Sequence, residues 1–423
     1  MKKIFHKIKS TLSHLGPGFV TGAADDDPSG IATYSIVGAQ FGYKLLWLTP
    51  FLLPMMIAVQ DLCGRIGLCS GMGLAGAIKK YYSKKLLYFA VFLLVIANVI
   101  NICADLGFIA ACLEMILGSP FYYWLIFITF GTIFLEIFIS YKKYSQILKW
   151  LSLTLLVYPV TALITKQNWV EVARFTFLPY LELNLPFLLA MVGFIGTTIS
   201  PYLFFWQAGE EVEEEIKDGQ IKDFNFRPKV FRRQISHLQK DTIVGMIFSN
   251  LIAAFIVLTT ASTLHQMGIT DIETSQQVAL ALRPLAGDFA FLLFTVGIIG
   301  IGLQAVPILA GGVAYSISET FNFKEGLSKK FSQAKIFYLV IAAATIIGAL
   351  LNIVGINPVR ALFYTAVLNG VVSVPLIVVI IRLSSDERVV GKYKTGKKEK
   401  ILTWLTFTFI FISLLLTLFS VFK

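Results

Sequence analysis

Three consecutive carboxylates, Asp25, Asp26 and Asp27, stand inside an otherwise apolar stretch and are followed at once by Pro28, Ser29 and Gly30. A second apolar stretch carries Gly196-Thr197-Thr198-Ile199-Ser200-Pro201-Tyr202. In both, a polar residue directly precedes a proline, which lacks the amide needed to continue a helical ladder. The carbonyls released in this way must face protein or water, because lipid offers them no donor. Adjacent carboxylates repel one another unless water or a cation compensates them, and a cation is their natural partner. Capping of the helix that resumes after the break accounts for one or two of the three, since aspartate is favoured at a helix N-terminus. At the second break the oxygens of Thr197, Thr198 and Ser200 join the released carbonyls, although hydroxyls also bond routinely inside membrane helices. Together the two breaks offer carboxylate, hydroxyl and carbonyl oxygens, a donor set that suits a hard divalent cation such as Mg²⁺ or Mn²⁺. Neither break contains a soft ligand, and His6, His14, His237 and His265 fall at span ends or in loops, which argues against an imidazole-rich zinc or copper site.

The elements that hold these residues are membrane helices. The chain has 423 residues, 56% hydrophobic and 14% charged, with mean hydropathy +0.75, which is too apolar for a soluble globule of this size. Met1 to Ser10 is basic but leads into the first broken segment without a small-residue cleavage pattern, so insertion is expected through the chain's own spans. Stretches of roughly 20 apolar residues predict eleven spans, near 14–42, 45–70, 86–116, 120–140, 145–165, 185–208, 240–263, 288–316, 333–355, 359–382 and 401–421. Alternate loops hold the basic residues: Lys2, Lys3, Lys7 and Lys9; Lys79, Lys80, Lys84 and Lys85; Lys142 and Lys143; Arg227, Lys229, Arg232 and Arg233; Lys329 and Lys330; Lys392, Lys394, Lys397, Lys398 and Lys400. By the rule that short cytoplasmic loops are rich in Lys and Arg, the N-terminus is cytoplasmic and the C-terminus extracytoplasmic. The net charge of +11 therefore reflects membrane topology and anionic lipid rather than nucleic acid. Cys63, Cys69, Cys103 and Cys112 lie within spans two and three with no metal-type pairing and read as reduced core residues.

The two breaks fall in spans one and six, five spans apart. An odd spacing puts the two halves in opposite orientations, so the expected architecture is an all-α polytopic membrane protein with an inverted 5+5 repeat plus one helix. A single transport domain is expected over residues 1–423, with repeats over 14–165 and 185–383 and the additional helix over 401–421. Broken helices in corresponding positions point to a substrate site at the bilayer midplane, as in secondary transporters.

Other buried polar residues rank lower. Asp105, with Asn98 and Asn101 on span three, either shuttles protons or pairs with Arg65 on span two. Gln304, Asn369 and Ser373 line a pathway or, more in keeping with their type, hold helices together. Glu210, Glu211, Glu213, Glu214 and Glu215 follow the sixth span and read as a solvated face, with an acidic cytoplasmic vestibule as the alternative.

These residues resemble the Nramp family of divalent-metal transporters. The resemblance rests on the Asp-Pro break, on Gln60-Asp61-Leu62-Cys63-Gly64-Arg65-Ile66-Gly67 with Ser70-Gly71 and Leu74-Ala75, and on the break in span six, and it extends over nearly the whole chain. It implies a LeuT-type fold with the metal bound between the unwound parts of spans one and six. The family's DPGN motif reads here as Asp27-Pro28-Ser29-Gly30, so the metal-binding aspartate is kept at Asp27 and the asparagine is replaced by Gly30. The family's methionine is replaced by Ser200, and its proton-handling histidine by Tyr202. On span three Asp105 remains, but Phe108 stands where transition-metal members carry a glutamate. These departures are similar to those of the Nramp-related magnesium transporters.

The resemblance implies that the chain is no enzyme but a carrier of divalent cations, Mg²⁺ and Mn²⁺ favoured, with weak or no proton coupling. Asp27 would supply the essential charge, Ser200 and Thr197 further oxygens, Gly30 the space, and Asp26 a neighbouring contact. Its partners are the transported ion and the lipid bilayer, no resident cofactor is expected, and a bacterial plasma membrane is the expected location. Alternatives are a proton-coupled Mn²⁺ or Fe²⁺ importer and a sodium-coupled organic-solute carrier. The carrier's substrate carboxylate would be repelled by three aspartates.

Overall fold

Proline placement decides where helices stop in this chain. Pro54, Pro307 and Pro375 follow Leu53, Val306 and Val374 and leave their helices continuous, whereas Pro28 and Pro201 open new ones. Proline pushes the residue before it toward extended backbone, and a polar side chain there can bond the loosened backbone groups. Asp27 (φ −65°, ψ 173°) and Ser200 (φ −85°, ψ 125°) hold that extended conformation.

The computed structural model describes residues 16–139 and 152–422. The first span consists of α1 (Pro17–Asp25) and α2 (Pro28–Phe41), followed by α3 (Leu48–Ser70), a short α4 (Leu74–Tyr81), α5 (Lys84–Leu117), α6 (Phe121–Phe138) and α7 (Val157–Ile164). A connecting helix α8 (Trp169–Phe177) leads to the second broken span, α9 (Leu185–Thr198) and α10 (Pro201–Lys217). Then come α11 (Arg232–Thr260, prolonged by a π-turn over Ala261–His265), α12 (Ala290–Phe321), α13 (Lys335–Leu351), α14 (Pro358–Ser385) and α15 (Lys397–Val421). No strand occurs among the described residues.

Nine described helical segments are long and apolar enough to cross a bilayer; the broken first span and the short apolar helix Thr154–Ile164 join them, in keeping with eleven. Spans three and four separate at Gly118, whose φ of 70° is the left-handed value glycine adopts without cost, and at Pro120. Residues 140–151, with Lys142 and Lys143, lie outside the described residues, as do His6, His14 and the N-terminal lysines. The packing has the symmetry of a repeat. α1 of span one lies on α11 of span seven as α10 of span six lies on α3 of span two, while spans three and eight, α5 and α12, lie on each other.

Two expectations need correction. The glutamates after the sixth span are no solvated face: α10 runs on through them, and Glu210, Glu211, Glu213 and Glu215 are buried. Hydropathy marks where the apolar stretch ends, whereas the helix continues wherever its flank still packs. Arg65 does not pair with Asp105. It meets Asp61 one turn away on α3 and grips Glu399 of α15 with both terminal nitrogens, at 3.0 and 3.1 Å. A bidentate guanidinium contact of this kind fixes orientation as well as charge, and here it ties the additional helix to the second span.

Arg65→Met should therefore destabilise the protein by about 3–5 kcal/mol, because Asp61 would be left buried without its partner. Glu399→Gln, at the one-third exposed end of the triad, should cost less. Thermal unfolding midpoints in detergent test this, and midpoints equal to wild type in both variants would remove the triad from the forces holding α15.

Candidate metal site

Each break spans two residues and follows the same local rule. α1 ends at Asp25, Asp26 turns the chain (φ −84°, ψ 49°), and Asp27 caps α2 with Pro28 at its first position. α9 ends at Thr198, Ile199 turns it (φ −120°, ψ 70°), and Ser200 precedes Pro201 at the start of α10. Proline suits a first helical position because its missing amide would have no intrahelical partner there. Two helix C-termini and two N-termini consequently face one region, offering carbonyls to a cation and amides to a carboxylate.

The carboxylate is Asp27. Its Oδ1 accepts from the Gly30 amide at 2.6 Å and its Oδ2 from the Tyr202 hydroxyl at 3.3 Å. The Tyr202 hydroxyl also lies 3.1 Å from the Ala24 carbonyl, so one side chain of the second break braces a carboxylate and a released carbonyl of the first. Ser200 Oγ lies 2.8 Å from the Thr197 carbonyl and 3.1 Å from that of Gly196. Its proton is thereby committed and its lone pairs face elsewhere. Around this region Ser29 Oγ donates to the Leu362 carbonyl of α14 at 3.0 Å, and the Tyr34 and Thr198 hydroxyls meet at 2.9 Å.

The two breaks also face each other at Gly30. A Cβ added there would lie 3.2 Å from Thr197 Oγ1, 3.3 Å from the Asp25 carbonyl oxygen and 3.5 Å from Asp27 Oδ1. Three oxygens, two from the first break and one from the second, thus surround a space that a larger residue would fill. The structure brings Asp27, Gly30 and Thr197 to this one place, with Ser200 bonded to the Thr197 carbonyl within the second break.

The side chains of the other polar residues make further contacts. Asp25 and Asp26 are directed to Ser249 of α11, with their nearest oxygens 2.9 and 3.4 Å from its Oγ. Asp105 is wholly buried on α5, beside the Ser29 backbone amide of the first break and without a side-chain partner among the described residues. Phe108, one turn on, packs edge to face on Phe294 with ring centroids 6.1 Å apart. Asn369 exchanges amide hydrogen bonds with Asn101 at 2.9 and 3.3 Å and joins α14 to α5. Asn98 donates to the Leu309 carbonyl at 2.8 Å, and Gln304 is buried on α12. Sequence reasoning passes over Ser249 and Tyr34. The adjacent Ser249-Asn250 pair in an apolar span was the available signal for the first, but a tyrosine in a membrane helix carries none.

Asp25, Asp26, Asp27 and Asp105 are all essentially unexposed, and no ion pair among the described residues includes them. They lie near enough to repel one another. Among the described residues no three of His, Cys, Asp and Glu converge on one metal position. A cation beside Asp27 therefore depends on one carboxylate supplemented by hydroxyls, carbonyls and water. Mg²⁺, which gives up its water reluctantly and is commonly held by one or two carboxylates, tolerates such a set.

Solved structures share this architecture. A crystal structure of the Eremococcus coleocola manganese transporter in complex with an aromatic bis-isothiourea substituted compound superposes with a TM-score of 0.73 at 16% identity, over 97% of this chain and 86% of that one. A mutant of the same transporter gives 0.73 at 17% identity, with the same coverage. Mhp1, a nucleobase-cation-symport-1 family transporter in a closed conformation, gives 0.65 at 11% identity over 96% of this chain and 91% of that one. At these identities the likeness establishes the fold, that of Nramp and of the LeuT-like Mhp1. The family model described as natural resistance-associated macrophage protein-like matches residues 18–420, and with nearly its whole length so matched the chain belongs to the Nramp family of metal transporters.

Proposed function

We propose that this chain carries divalent cations, Mg²⁺ and Mn²⁺ ahead of softer metals, across the membrane by alternating access with weak or no proton coupling. The observation that carries this reading is the oxygen-only meeting of the two breaks around Gly30, with Asp27 as the charge and with Ser200 where the family has its thioether. Sulfur favours transition metals over alkaline earths, so its replacement by a hydroxyl removes the preference. The small residue at Gly30 leaves room for a cation that keeps part of its hydration. Coupling is weakened because Tyr202 replaces the family's histidine and because Phe108 buries an aromatic ring where the family's glutamate would stand. The inner half of span one is the part that swings when the site opens inward, a motion that would release the Tyr202 hydroxyl from the Ala24 carbonyl. The basic loops favour a cytoplasmic N-terminus in a bacterial plasma membrane. A proton-coupled Mn²⁺ or Fe²⁺ importer is the second reading, favoured by one observation: Asp105, the acid kept on the family's proton route, is buried with no side-chain partner among the described residues.

Uptake into proteoliposomes, followed with Mg²⁺- and Mn²⁺-sensitive dyes together with internal pH, tests both readings. Mg²⁺ entry without acidification that Asp27→Ala reduces to the level of empty liposomes is the expected result; exclusion of Mg²⁺ with proton-linked Mn²⁺ entry would establish the second reading instead. Ser200→Met should shift the Mn²⁺ to Mg²⁺ uptake ratio toward Mn²⁺ by about tenfold, equivalent to ~1.4 kcal/mol, and an unchanged ratio would separate selectivity from this position. Gly30→Ala should raise the KM for either ion with a smaller effect on kcat, because its methyl group occupies space the cation needs in every bound state. A normal KM in that variant would place the cation elsewhere.

A further inference from the structure

The buried carboxylates exceed what one divalent cation can compensate. Asp25, Asp26, Asp27 and Asp105 carry four negative charges when ionised, and a single divalent ion beside Asp27 offsets two. Their side chains do not share one focus. Asp27 is occupied by Gly30 and Tyr202, whereas Asp25 Oδ2 and Asp26 Oδ1 lie 2.9 and 3.4 Å from Ser249 Oγ. A hydroxyl has one proton and cannot donate to both carboxylates. The outer oxygens, Asp25 Oδ1 and Asp26 Oδ2, are buried and accept nothing from any described residue. Two carboxylates at this depth, sharing one proton donor and each with an idle oxygen, lack positive charge that the chain does not supply.

The walls of this place are fixed. A Cβ on Gly22 would lie 2.3 Å from the Gly245 carbonyl carbon, so the backbones of α1 and α11 touch one turn from the aspartates. Asp241 of α11 accepts from the Gly16 and Phe19 amides at 3.0 and 3.2 Å, pinning the start of α1 to the same helix. Asp26 leaves the helical conformation at the end of α1, where the last-turn carbonyls have no amide to meet and favour a cation.

We propose that Asp25, Asp26 and Ser249 form a second subsite for a hard divalent cation, distinct from the one at Asp27. It rests on the function proposed above in taking the same class of ion. Two carboxylates match a divalent charge, a hydroxyl and backbone carbonyls complete an all-oxygen shell, and the contact with α11 places the ion at the root of the half-helix that moves.

Isothermal titration of the purified full-length protein in detergent with Mg²⁺, at constant ionic strength, reads the stoichiometry directly. Two binding events are expected. Asp25→Asn, which keeps the shape of the side chain, should abolish one, and Ser249→Ala should weaken the same event by about tenfold or more. Asp27→Ala should remove the other event alone. Thermal midpoints without Mg²⁺ establish that each variant is folded. A single event that disappears in Asp27→Ala and is indifferent to Asp25→Asn and Ser249→Ala would overturn the second subsite and leave the proposed function standing. A second event that appears only with Na⁺ would overturn its divalent character, and the binding of neither Mg²⁺ nor Mn²⁺ by the wild type would overturn both proposals.

Discussion

Four carboxylates held in an apolar interior, with no basic side chain among the described residues to meet them, set the terms for the rest of the structure. A charge in such a place costs several kcal/mol unless something compensates it. The fold compensates in part, with the Gly30 amide and Tyr202 hydroxyl on Asp27 and the Ser249 hydroxyl on Asp25 and Asp26. Each of these donors exists because a helix is broken or because another is drawn close to a break. What the fold leaves uncompensated is the affinity for cations. A site whose own groups were all satisfied would have no reason to take a cation out of water.

The breaks also divide the first span between two sets of partners. α1 is fastened to α11 by the contact of Gly22 with Gly245 and by the Asp241 carboxylate. α2 is fastened to α14 by Ser29 and to α9 by Tyr34, and it meets the far end of α11, where a Cβ on Gly38 would lie 2.7 Å from the Val257 carbonyl. Between them lie Asp26 and Asp27, the two residues outside helical geometry. A displacement of α1 against α2 would therefore turn on those residues and would change the separation of Asp25 from Asp27. In the function proposed above, ligand chemistry and hinge would occupy the same stretch of chain, so a cation that relieves repulsion there would also bias the hinge.

Both breaks, the helix count and the pairing of spans one and six are legible in the sequence, because each follows from a local rule: a polar residue before proline, or a run of apolar residues long enough to span. Asp27, Gly30, Thr197 and Ser200 stand on those same few residues, so they are legible too. The partners that reach the breaks from elsewhere are not. Ser249, more than two hundred residues from Asp25, looks like any small hydroxyl residue in an apolar helix, and only the folded packing of α1 on α11 gives it meaning. Arg65 misleads for the same reason. A buried arginine near a buried aspartate invites pairing, yet Asp61 lies one turn away on its own helix and Glu399 arrives from a helix that no repeat argument places. The glutamates of α10 show the opposite failure, in which a charge run reads as surface although its helix continues into packed protein.

Selectivity and coupling are joined by position. On α5 the polar residues that might lead a proton away from Asp105 are each engaged: Asn98 with the Leu309 carbonyl, Asn101 with Asn369. Phe108 faces Phe294 rather than water. A proton path requires successive groups that can both give and accept, and an amide whose hydrogens are bound across a helix contact passes a proton poorly. In the function proposed above, Asp105 is an isolated acid rather than the first member of a relay. On that same reading it adds to the negative field that draws a divalent ion in, and Ser200 and Phe108 act together: both exchange chemistry suited to transition metals and protons for an environment that recognises charge and size.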